Sequence, residues 1–321
     1  MNEKQEAPTH LLGESSRERG QTQTIDGSRG RRGLLLLFAR LLRPALTTAL
    51  ALPILWGLAL AHWHGAPLNG WSIALLLTAT GAFCIGLSLA GHYADFQRWL
   101  AQERSTPGGE QLLPEERQIS SGQDVFQLLY SRQVRPGAVR SLVLLSLWIT
   151  LLASLWLGEL VGWPLFFFGL LSVLLAVLSL LPGVRYSRWL WIVGDLAVLA
   201  AVGFLPVLSA YYAHREVIDR WVLLAAVAPS LLAWLTWTSY NLLSWRRDWR
   251  IRRGTAVAIF GPERALDAGA VIGVAAFTSV LLLMALGGLP LSSLLVLGSL
   301  PIFLRAFTHT NQQPLTPTTA A

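Results

Sequence analysis

The sequence predicts an all-α membrane protein, a polytopic bundle of about eight transmembrane helices. Of its 321 residues, 53% are hydrophobic and only 13% are charged, whereas an ordinary soluble domain carries about 25% charged residues. Apolar runs of about 20 residues, the length that crosses a hydrocarbon core of about 30 Å, recur between Pro44 and Phe307. So few charged residues cannot cover the surface of a water-soluble protein of this size, and the composition therefore excludes a soluble globular protein.

The predicted spans are eight apolar segments separated by more polar connections. They cover residues 44–63, 71–91, 139–157, 161–181, 190–212, 220–243, 267–287 and 289–307. Pro53, Pro206 and Pro229 fall inside spans, and membrane helices tolerate proline where neighbouring groups or water satisfy the freed carbonyl. We therefore expect local kinks at these three positions, not helix ends.

The basic residues set the orientation of these spans. Of 25 basic residues, only Arg215 and Arg220 fall on one side of the predicted bundle. All the others lie before the first span, in the second-to-third, fourth-to-fifth and sixth-to-seventh connections, or after the last span. Because cytoplasmic loops carry the excess of Lys and Arg, we expect a multi-pass protein of the inner or plasma membrane with both termini in the cytoplasm.

Charge and cysteine content exclude two further kinds of function. The net charge is +7, but the basic residues are spread over the cytoplasmic connections and form no aromatic-interleaved patch, so topology explains them and a nucleic-acid partner is not expected. The single Cys84 lies inside an apolar span. One cysteine allows neither a disulfide nor a thiolate zinc site within one chain.

The domain organisation follows from the position of the polar segments. Residues 1–33 are polar and are expected to be a disordered cytoplasmic arm, residues 34–308 form the transmembrane domain, and residues 309–321 form a disordered tail. Two cytoplasmic connections, about 91–139 and 244–266, are much longer than the others. In a helical membrane protein, long loops on one face can build a site, so we expect the function on the cytoplasmic face.

Each long connection follows an apolar helix that ends in a polar cluster. If the helices continue, His92, Asp95 and Trp99 share one helix face. The second cluster has Asn241, Ser244 and Asp248 at the same spacing. Two polar faces are therefore expected to meet across one cavity.

In these clusters the sequence resembles the UbiA superfamily of intramembrane prenyltransferases, most closely the branch that prenylates dihydroxynaphthoate on the way to menaquinone. The resemblance covers about residues 38–308. It includes Arg43 and Pro44 before the first helix and the places of two acidic motifs, N-D-x-x-D-x-x-x-D after helix two and D-x-x-x-D after helix six. The family's other segments are matched by SRQVRPGAVR at 131–140, LPGVRYSRWLWIVGD at 181–195 and RRGTAVAIFGPERA at 252–265.

The family chemistry explains why acidic residues stand at these places. Mg²⁺ bridges the prenyl diphosphate to carboxylates and neutralises the leaving diphosphate while the aromatic acceptor attacks the allylic carbon. The resemblance implies a polyprenyl diphosphate and an aromatic acceptor as substrates, with Asp95 and Asp248 as catalytic metal ligands. It places His92, Arg98, Asn241, Ser244, Arg246 and Arg247 around the diphosphate or substrate, and Asp195 on the acceptor side.

The sequence departs from the family pattern at most of its acidic positions. Gly91, His92 and Trp99 replace the Asn and two of the Asp residues of the first motif, and Ser244 replaces the first Asp of the second. Arg98, Arg246 and Arg247 are candidates to grip phosphate in compensation, or they are topology markers that reach lipid headgroups.

Three functions therefore stay open at the level of sequence. The first is a magnesium-dependent prenyltransferase. The second is a UbiA-like protein that has lost this chemistry and binds an isoprenoid lipid or supports a partner enzyme. A small transporter is disfavoured, because no symmetric pair of broken helices and no polar pairs at the midplane are evident.

Overall fold

The computed structural model describes residues 44–105, 125–130, 132, 134–301 and 305, and the regular elements in this part of the chain are all helical. The predicted arm, residues 34–43, residues 106–124 and the predicted tail lie outside the described residues. The α-helices are α1 Pro44–Trp63, α2 Gly70–Ser105, α3 Val125–Tyr130, α4 Pro136–Leu160, α5 Pro164–Leu180, α6 Pro182–Arg185, α7 Trp191–Leu199, α8 Leu205–Arg215, α9 Arg220–Ala225, α10 Val227–Arg250, α11 Ala256–Phe260 and α12 Pro262–Ala285.

Five helical segments of the described chain are long and apolar enough to cross a membrane. They are Gly70–Gln102, Pro136–Leu160, Trp191–Arg215, Arg220–Ser239 and Pro262–Ala285. Two shorter apolar helices, Ala51–Trp63 and Pro164–Leu180, accompany them. These helices indicate a multi-pass membrane protein, while the total of about eight spans stays a prediction.

The last predicted span, 289–307, is mostly a 3₁₀ helix where the structure describes it, and residues 300, 301 and 305 are α-helical. A 3₁₀ helix runs from Leu291 to Ser299, directly after Pro290, which has a fixed φ and no N–H to donate. Residues 302–304 and 306–307 of this span lie outside the described residues. This segment is not among the candidate membrane spans of the described residues, and its role as a span stays a prediction.

Two prolines act on the helices in different ways. Pro206 follows a π-helical segment, Ala200–Phe204, which joins α7 to α8. Pro229 frees the carbonyl of Ala225 one turn earlier, and Trp56 of α1 donates its indole N–H to that carbonyl at 3.0 Å. The regular helix is therefore interrupted near Pro206 and, between Ala225 and Val227, shortly before Pro229, whereas Pro53 lies inside the continuous α1. A neighbouring helix satisfies one of the freed carbonyls.

The helices pack so that the polar clusters come to one end of the bundle. α2 lies along α4, α1 against α8, and α10 against α12. Close approach of α1 to α8 requires Gly57, because an added Cβ would collide with the carbonyl of Val207. Both helices with a polar cluster continue beyond the predicted spans, α2 to Ser105 and α10 to Arg250, so the clusters lie on helices and not on the loops 91–139 and 244–266.

Candidate functional site

The two acidic residues that the sequence singled out, Asp95 and Asp248, lie in one buried ionic cluster. Asp95 on α2 is 1% exposed and Asp248 on α10 is 0% exposed. Two arginines complete the cluster, Arg185 at the end of α6 and Arg253 just after α10, and both are buried. The cluster joins elements that are up to 158 residues apart in sequence.

Arg185 binds Asp95 with both arms of its guanidinium fork. Its Nε donates to Oδ1 and its Nη2 to Oδ2, each at 2.9 Å. Nη2 also donates to the carbonyl of Gly91 at 3.1 Å, and the hydroxyl of Tyr186 donates to Oδ1 at 3.4 Å. A planar, bidentate pair of this kind is the strongest geometry of a charged hydrogen bond, so both oxygens of Asp95 are occupied.

Gly91 makes room for this pair. A Cβ at position 91 would lie 3.2 Å from Nη2 of Arg185, a contact tighter than most side-chain carbons make. The absence of a side chain at Gly91 therefore lets the guanidinium reach the backbone of α2.

Arg253 connects the two carboxylates. Its Nη1 lies 3.4 Å from Oδ2 of Asp95 and 3.4 Å from Oδ2 of Asp248. Because the same nitrogen touches both acids, a single guanidinium separates them. The predicted meeting of the two polar helix ends is therefore present, but an arginine lies between the carboxylates.

The end of α10 places Arg253 in this position. Arg252 adopts a left-handed conformation with φ 54°, Arg252 N–H donates to Trp249 O at 3.2 Å, and Arg253 N–H donates to Asp248 O at 2.8 Å. This pair of bonds is a Schellman motif, and it turns the chain back over the last helical turn. The side chain of Arg253 is thereby returned to Asp248, five residues earlier.

Asp248 has further polar neighbours on its own helix. Ser244 donates to Oδ2 at 3.1 Å, and Nε of Arg247 lies 3.8 Å from Oδ1. Oδ1 makes no hydrogen bond to any described residue. The guanidinium of Arg247 also lies 4.9 Å from the ring centre of Phe126, so this arginine is shared between an acid and an aromatic face.

The cluster changes the titration of the groups around it. Burial disfavours the charged form of Arg185, but the charge and hydrogen bonds of Asp95 outweigh this, and the pKa of Arg185 is raised. Burial, assisted by the neighbouring Asp95 charge, raises the pKa of Tyr186 to about 12. The Tyr186 hydroxyl therefore stays protonated and can donate to Asp95.

A small cavity adjoins the cluster on the side of α7. It has a volume of about 20 Å³ and is lined by Asp195, Arg185, Arg253, Thr255 and others. Oδ2 of the buried Asp195 makes no hydrogen bond to any described residue. A volume of this size holds about one or two water molecules, so a polyprenyl chain or an aromatic ring does not fit here in this conformation.

Other residues predicted for the site lie on the same two helices as Asp95 and Asp248. Asn241 is buried on α10, and His92 is half-buried on α2. Arg98 is exposed, with its guanidinium 5.2 Å from the ring centre of Tyr186. Arg246 stacks on its own neighbour Trp245 at 5.5 Å. The ion pairs that the structure describes for Asp95 and Asp248 are with Arg185, Arg247 and Arg253.

The donor set does not fit a magnesium ion in this arrangement. Mg²⁺ requires carboxylate and water oxygens in an octahedron, whereas both oxygens of Asp95 and one of Asp248 face guanidinium groups. Within the described part of the chain, no three His, Cys, Asp or Glu side chains converge to hold a metal. A divalent cation placed between Asp95 and Asp248 would also be repelled by Arg253.

Arg185 and Arg253 are the functional residues that sequence reasoning missed. In the sequence both are basic residues of the expected cytoplasmic side, within the segments 181–195 and 252–265, and neither is assigned to the site. A signal for Arg253 was available, because it follows Asp248 by five residues at a predicted helix end. A signal for Arg185 was weaker, since Asp95 is 90 residues away in sequence.

Comparison with known proteins gave no match at any of three levels. No family model, no curated protein and no solved structure matches this chain.

Proposed function

We propose that this chain is a UbiA-like membrane protein that binds the phosphate head of an isoprenoid lipid at its cytoplasmic face and does not use a metal to transfer the prenyl group. One observation carries the proposal: the acids that remain at the two motif positions are each ion-paired with a buried arginine. The carboxylates are therefore occupied by protein cations where a transferase would offer them to magnesium.

The energetics favour keeping these ion pairs. Removing one partner from a buried pair costs about 3–5 kcal/mol, because the remaining charge is left uncompensated. A magnesium ion would have to displace Arg185 or Arg253 from Asp95 and bear that cost. A lipid phosphate that binds outside the cluster leaves the pairs intact.

Two arginines beside the cluster, the exposed Arg98 and the half-buried Arg246, are the expected contacts for the phosphate. Arg98 is held against Tyr186, which in turn contacts Asp95, and Arg246 is held against Trp245. Arginine suits phosphate because its planar fork donates two parallel hydrogen bonds. The isoprenoid chain would lie along the apolar outer faces of the helices, where large side chains such as Leu196 and Ile192 are exposed.

Binding to a polyprenyl monophosphate in lipid nanodiscs tests this proposal. We expect the affinity to be the same with Mg²⁺ and with a chelator, and to fall about tenfold in Arg98→Gln or Arg246→Gln, since a charge-assisted hydrogen bond is lost. Arg220→Gln is the matched control, because Arg220 also stacks on a tryptophan, at 5.0 Å, but at the opposite helix end. Absence of binding, or equal binding in all three variants, would reject the proposal.

A prenyltransferase is the second candidate, and the meeting of the two acids favours it. Asp95 and Asp248 contact the same nitrogen of Arg253, so the expected carboxylate positions do face each other. In this function they would hold Mg²⁺ and the diphosphate after the arginines had moved away, and an aromatic or quinone-precursor acceptor would take the prenyl group. Magnesium-dependent transfer that is abolished by Asp95→Asn and by Asp248→Asn would establish it and exclude the first proposal.

The orientation in the membrane is part of the proposal. Both termini would lie in the cytoplasm, with an even number of spans, because the basic residues concentrate on the side of the Asp95 and Asp248 helix ends. The ionic cluster would then face the compartment in which water-soluble acceptors and phosphate-bearing precursors are found.

A further inference from the structure

The guanidinium of Arg253 uses only one of its nitrogens in the ionic cluster. The hydrogen bonds that the structure describes for this side chain both come from Nη1, which lies 3.4 Å from Asp95 and 3.4 Å from Asp248. These contacts are longer than the two bonds of 2.9 Å that Arg185 donates to Asp95. Because a guanidinium has five N–H donors, Nε and Nη2 of the buried Arg253 keep donors that the two acids do not occupy.

The cavity beside the cluster places an unused acceptor next to this arginine. Arg253 and Asp195 both line the cavity of about 20 Å³. Asp195 is 9% exposed, and its Oδ2 makes no hydrogen bond to any described residue. A buried acceptor without a donor is unfavourable and is rare in folded proteins. An acceptor without a donor therefore shares the cavity with an arginine whose Nε and Nη2 are not bound to the cluster.

The other groups around Asp195 do not supply this donor. Arg185 also lines the cavity, but its Nε and Nη2 are fixed by Asp95 and by the carbonyl of Gly91. The indole of Trp234 interacts with the carboxyl of Asp195, and Oδ2 still has no hydrogen bond to any described residue. Of the two arginines at this cavity, Arg253 is therefore the one with weaker contacts to the cluster and with donors available for Asp195.

The backbone next to Arg253 is held in place, while its side chain borders open space. Gly254 donates its N–H to the carbonyl of Arg185 at 2.9 Å, and a Cβ at Gly254 would collide with the carbonyl of Ser187. The guanidinium of Arg253 lies 6.0 Å from the ring centre of Trp237, which lines the same cavity. The cavity holds about one or two water molecules, and one amino group of a guanidinium has about that size. A rotation of the side chain can therefore bring this amino group to Asp195 without moving the backbone.

We propose that Arg253 is a two-position arginine, which joins Asp95 to Asp248 in the position described and pairs with Asp195 across the closed cavity in a second position. The first position ties α2 to the end of α10, and the second ties α7 to it instead. Asp95 keeps both bonds from Arg185 after the move, whereas Asp248 loses its closest cation. Asp195 is thus a positioning residue for Arg253, and Asp248 becomes open to another donor.

Thermal unfolding of the full-length protein in detergent tests the second position by comparing Asp195→Asn in two backgrounds. In the wild type Arg253 is held by the cluster, so Asp195→Asn should change the Tm by less than about 2 °C. In Asp248→Asn one of the two contacts that hold Arg253 is lost and Asp195 becomes its partner. The same substitution should then lower the Tm by about 4 °C or more. Equal changes in the two backgrounds would overturn the proposal.

Two controls assign the difference to Arg253. Asp219→Asn removes an acid that caps α9 at the opposite helix ends, and it should lower the Tm equally in both backgrounds. Arg253→Gln should abolish the dependence of Asp195→Asn on the background, and a dependence that persists there would contradict the proposal. Asp248→Glu, which keeps the charge but displaces the carboxylate by one methylene group, is a second and milder background in case Asp248→Asn does not fold. It should show the same difference at a smaller size.

An experimental structure of Asp248→Asn in a lipid environment supplies a direct readout. We expect a guanidinium nitrogen of Arg253 within about 3 Å of Oδ2 of Asp195, with the cavity closed. An Arg253 that stays at Asp95, with an ordered water molecule bound to Oδ2 of Asp195, would overturn the proposal. Neither readout involves a lipid phosphate, so failure here is distinguishable from failure of the binding proposed for Arg98 and Arg246.

Discussion

The contacts of the buried carboxylate of Asp95 determine which groups it can bind. Asp95 receives two hydrogen bonds from Arg185 at 2.9 Å and one contact from Arg253 at 3.4 Å. These bonds satisfy both oxygens in a place where an unpaired charge would be strongly unfavourable. The same contacts that stabilise the acid remove it from the set of groups that can bind a metal.

Substitutions at the Asp95–Arg185 pair should show strong coupling. Asp95→Asn and Arg185→Gln should each lower the free energy of unfolding by about 3 kcal/mol, because either change leaves a buried charge without its partner. The double variant should lose much less than the sum, since no uncompensated charge is left. Chemical denaturation in mixed micelles measures all four proteins of this cycle.

The matched control for this cycle is the pair Arg98 and Tyr186, which lies beside the cluster but involves an exposed guanidinium. Arg98→Gln should lower the free energy of unfolding by about 0.5 kcal/mol, as expected for an exposed cation–π contact. Additive losses in the Asp95 and Arg185 double variant would show that the pair is not coupled and would refute the description of the cluster.

At the scale of elements, two helices are interrupted near prolines, and a side chain from a neighbouring helix donates to a carbonyl that has lost its helical donor. Pro229 of α10 leaves the carbonyl of Ala225, at the end of α9, without its helical donor, and the indole N–H of Trp56 on α1 donates to that carbonyl instead. The π segment before Pro206 is a local change of hydrogen-bond spacing within the long apolar helical segment Trp191–Arg215. Inside a membrane no solvent would satisfy a carbonyl such as that of Ala225, and the Trp56 side chain does so instead.

The Trp56 bond predicts a conditional effect of one substitution on another. Trp56→Phe should destabilise the protein by about 1–2 kcal/mol, because the buried carbonyl of Ala225 loses its donor. In the background of Pro229→Ala, whose restored N–H can bond Ala225 directly, the same change should cost clearly less. Equal costs in both backgrounds, measured by thermal unfolding, would mean that Trp56 acts through packing alone.

At the scale of the whole molecule, one end of the bundle carries ion pairs between aspartate and arginine, and the other carries a hydrogen-bonded group of one histidine, one tyrosine and one aspartate. Asp95, Asp248 and their arginines mark the first end, and His64, Tyr211 and Asp219 mark the second. Between them lie apolar helices whose outer faces expose leucine and tryptophan, as contact with lipid requires. The molecule therefore has two chemically different faces.

Labelling of single cysteines tests which face lies in the cytoplasm. In a Cys84→Ser background, Glu216→Cys should react with a membrane-impermeant thiol reagent added to intact cells, because this connection is expected outside. Arg188→Cys, in an exposed connection at the other end, should react only after the membrane is opened. The reverse labelling pattern would show that the orientation is opposite to the expected one and that the ionic cluster lies outside the cytoplasm.

The sequence alone determined the class of the protein and most of its local structure. The gain from transferring an apolar segment into lipid is a sum over adjacent residues, so the membrane helices could be predicted from composition along the chain. The helical periodicity likewise put Asn241, Ser244 and Asp248 on one face, and the structure places all of these on α10. The last predicted span, 289–307, is mostly a 3₁₀ helix where it is described.

The tertiary structure decided which partners the acidic residues have. Arg185 and Arg253 are 90 and 158 residues from Asp95, and no local pattern connects them. Their pairing depends on where α6 and the end of α10 pack against α2, on the glycine at position 91, and on the Schellman turn at Arg252. The positions of the charges along the chain therefore follow from the sequence, whereas the pairing of Asp95 and Asp248 with arginines depends on long-range packing.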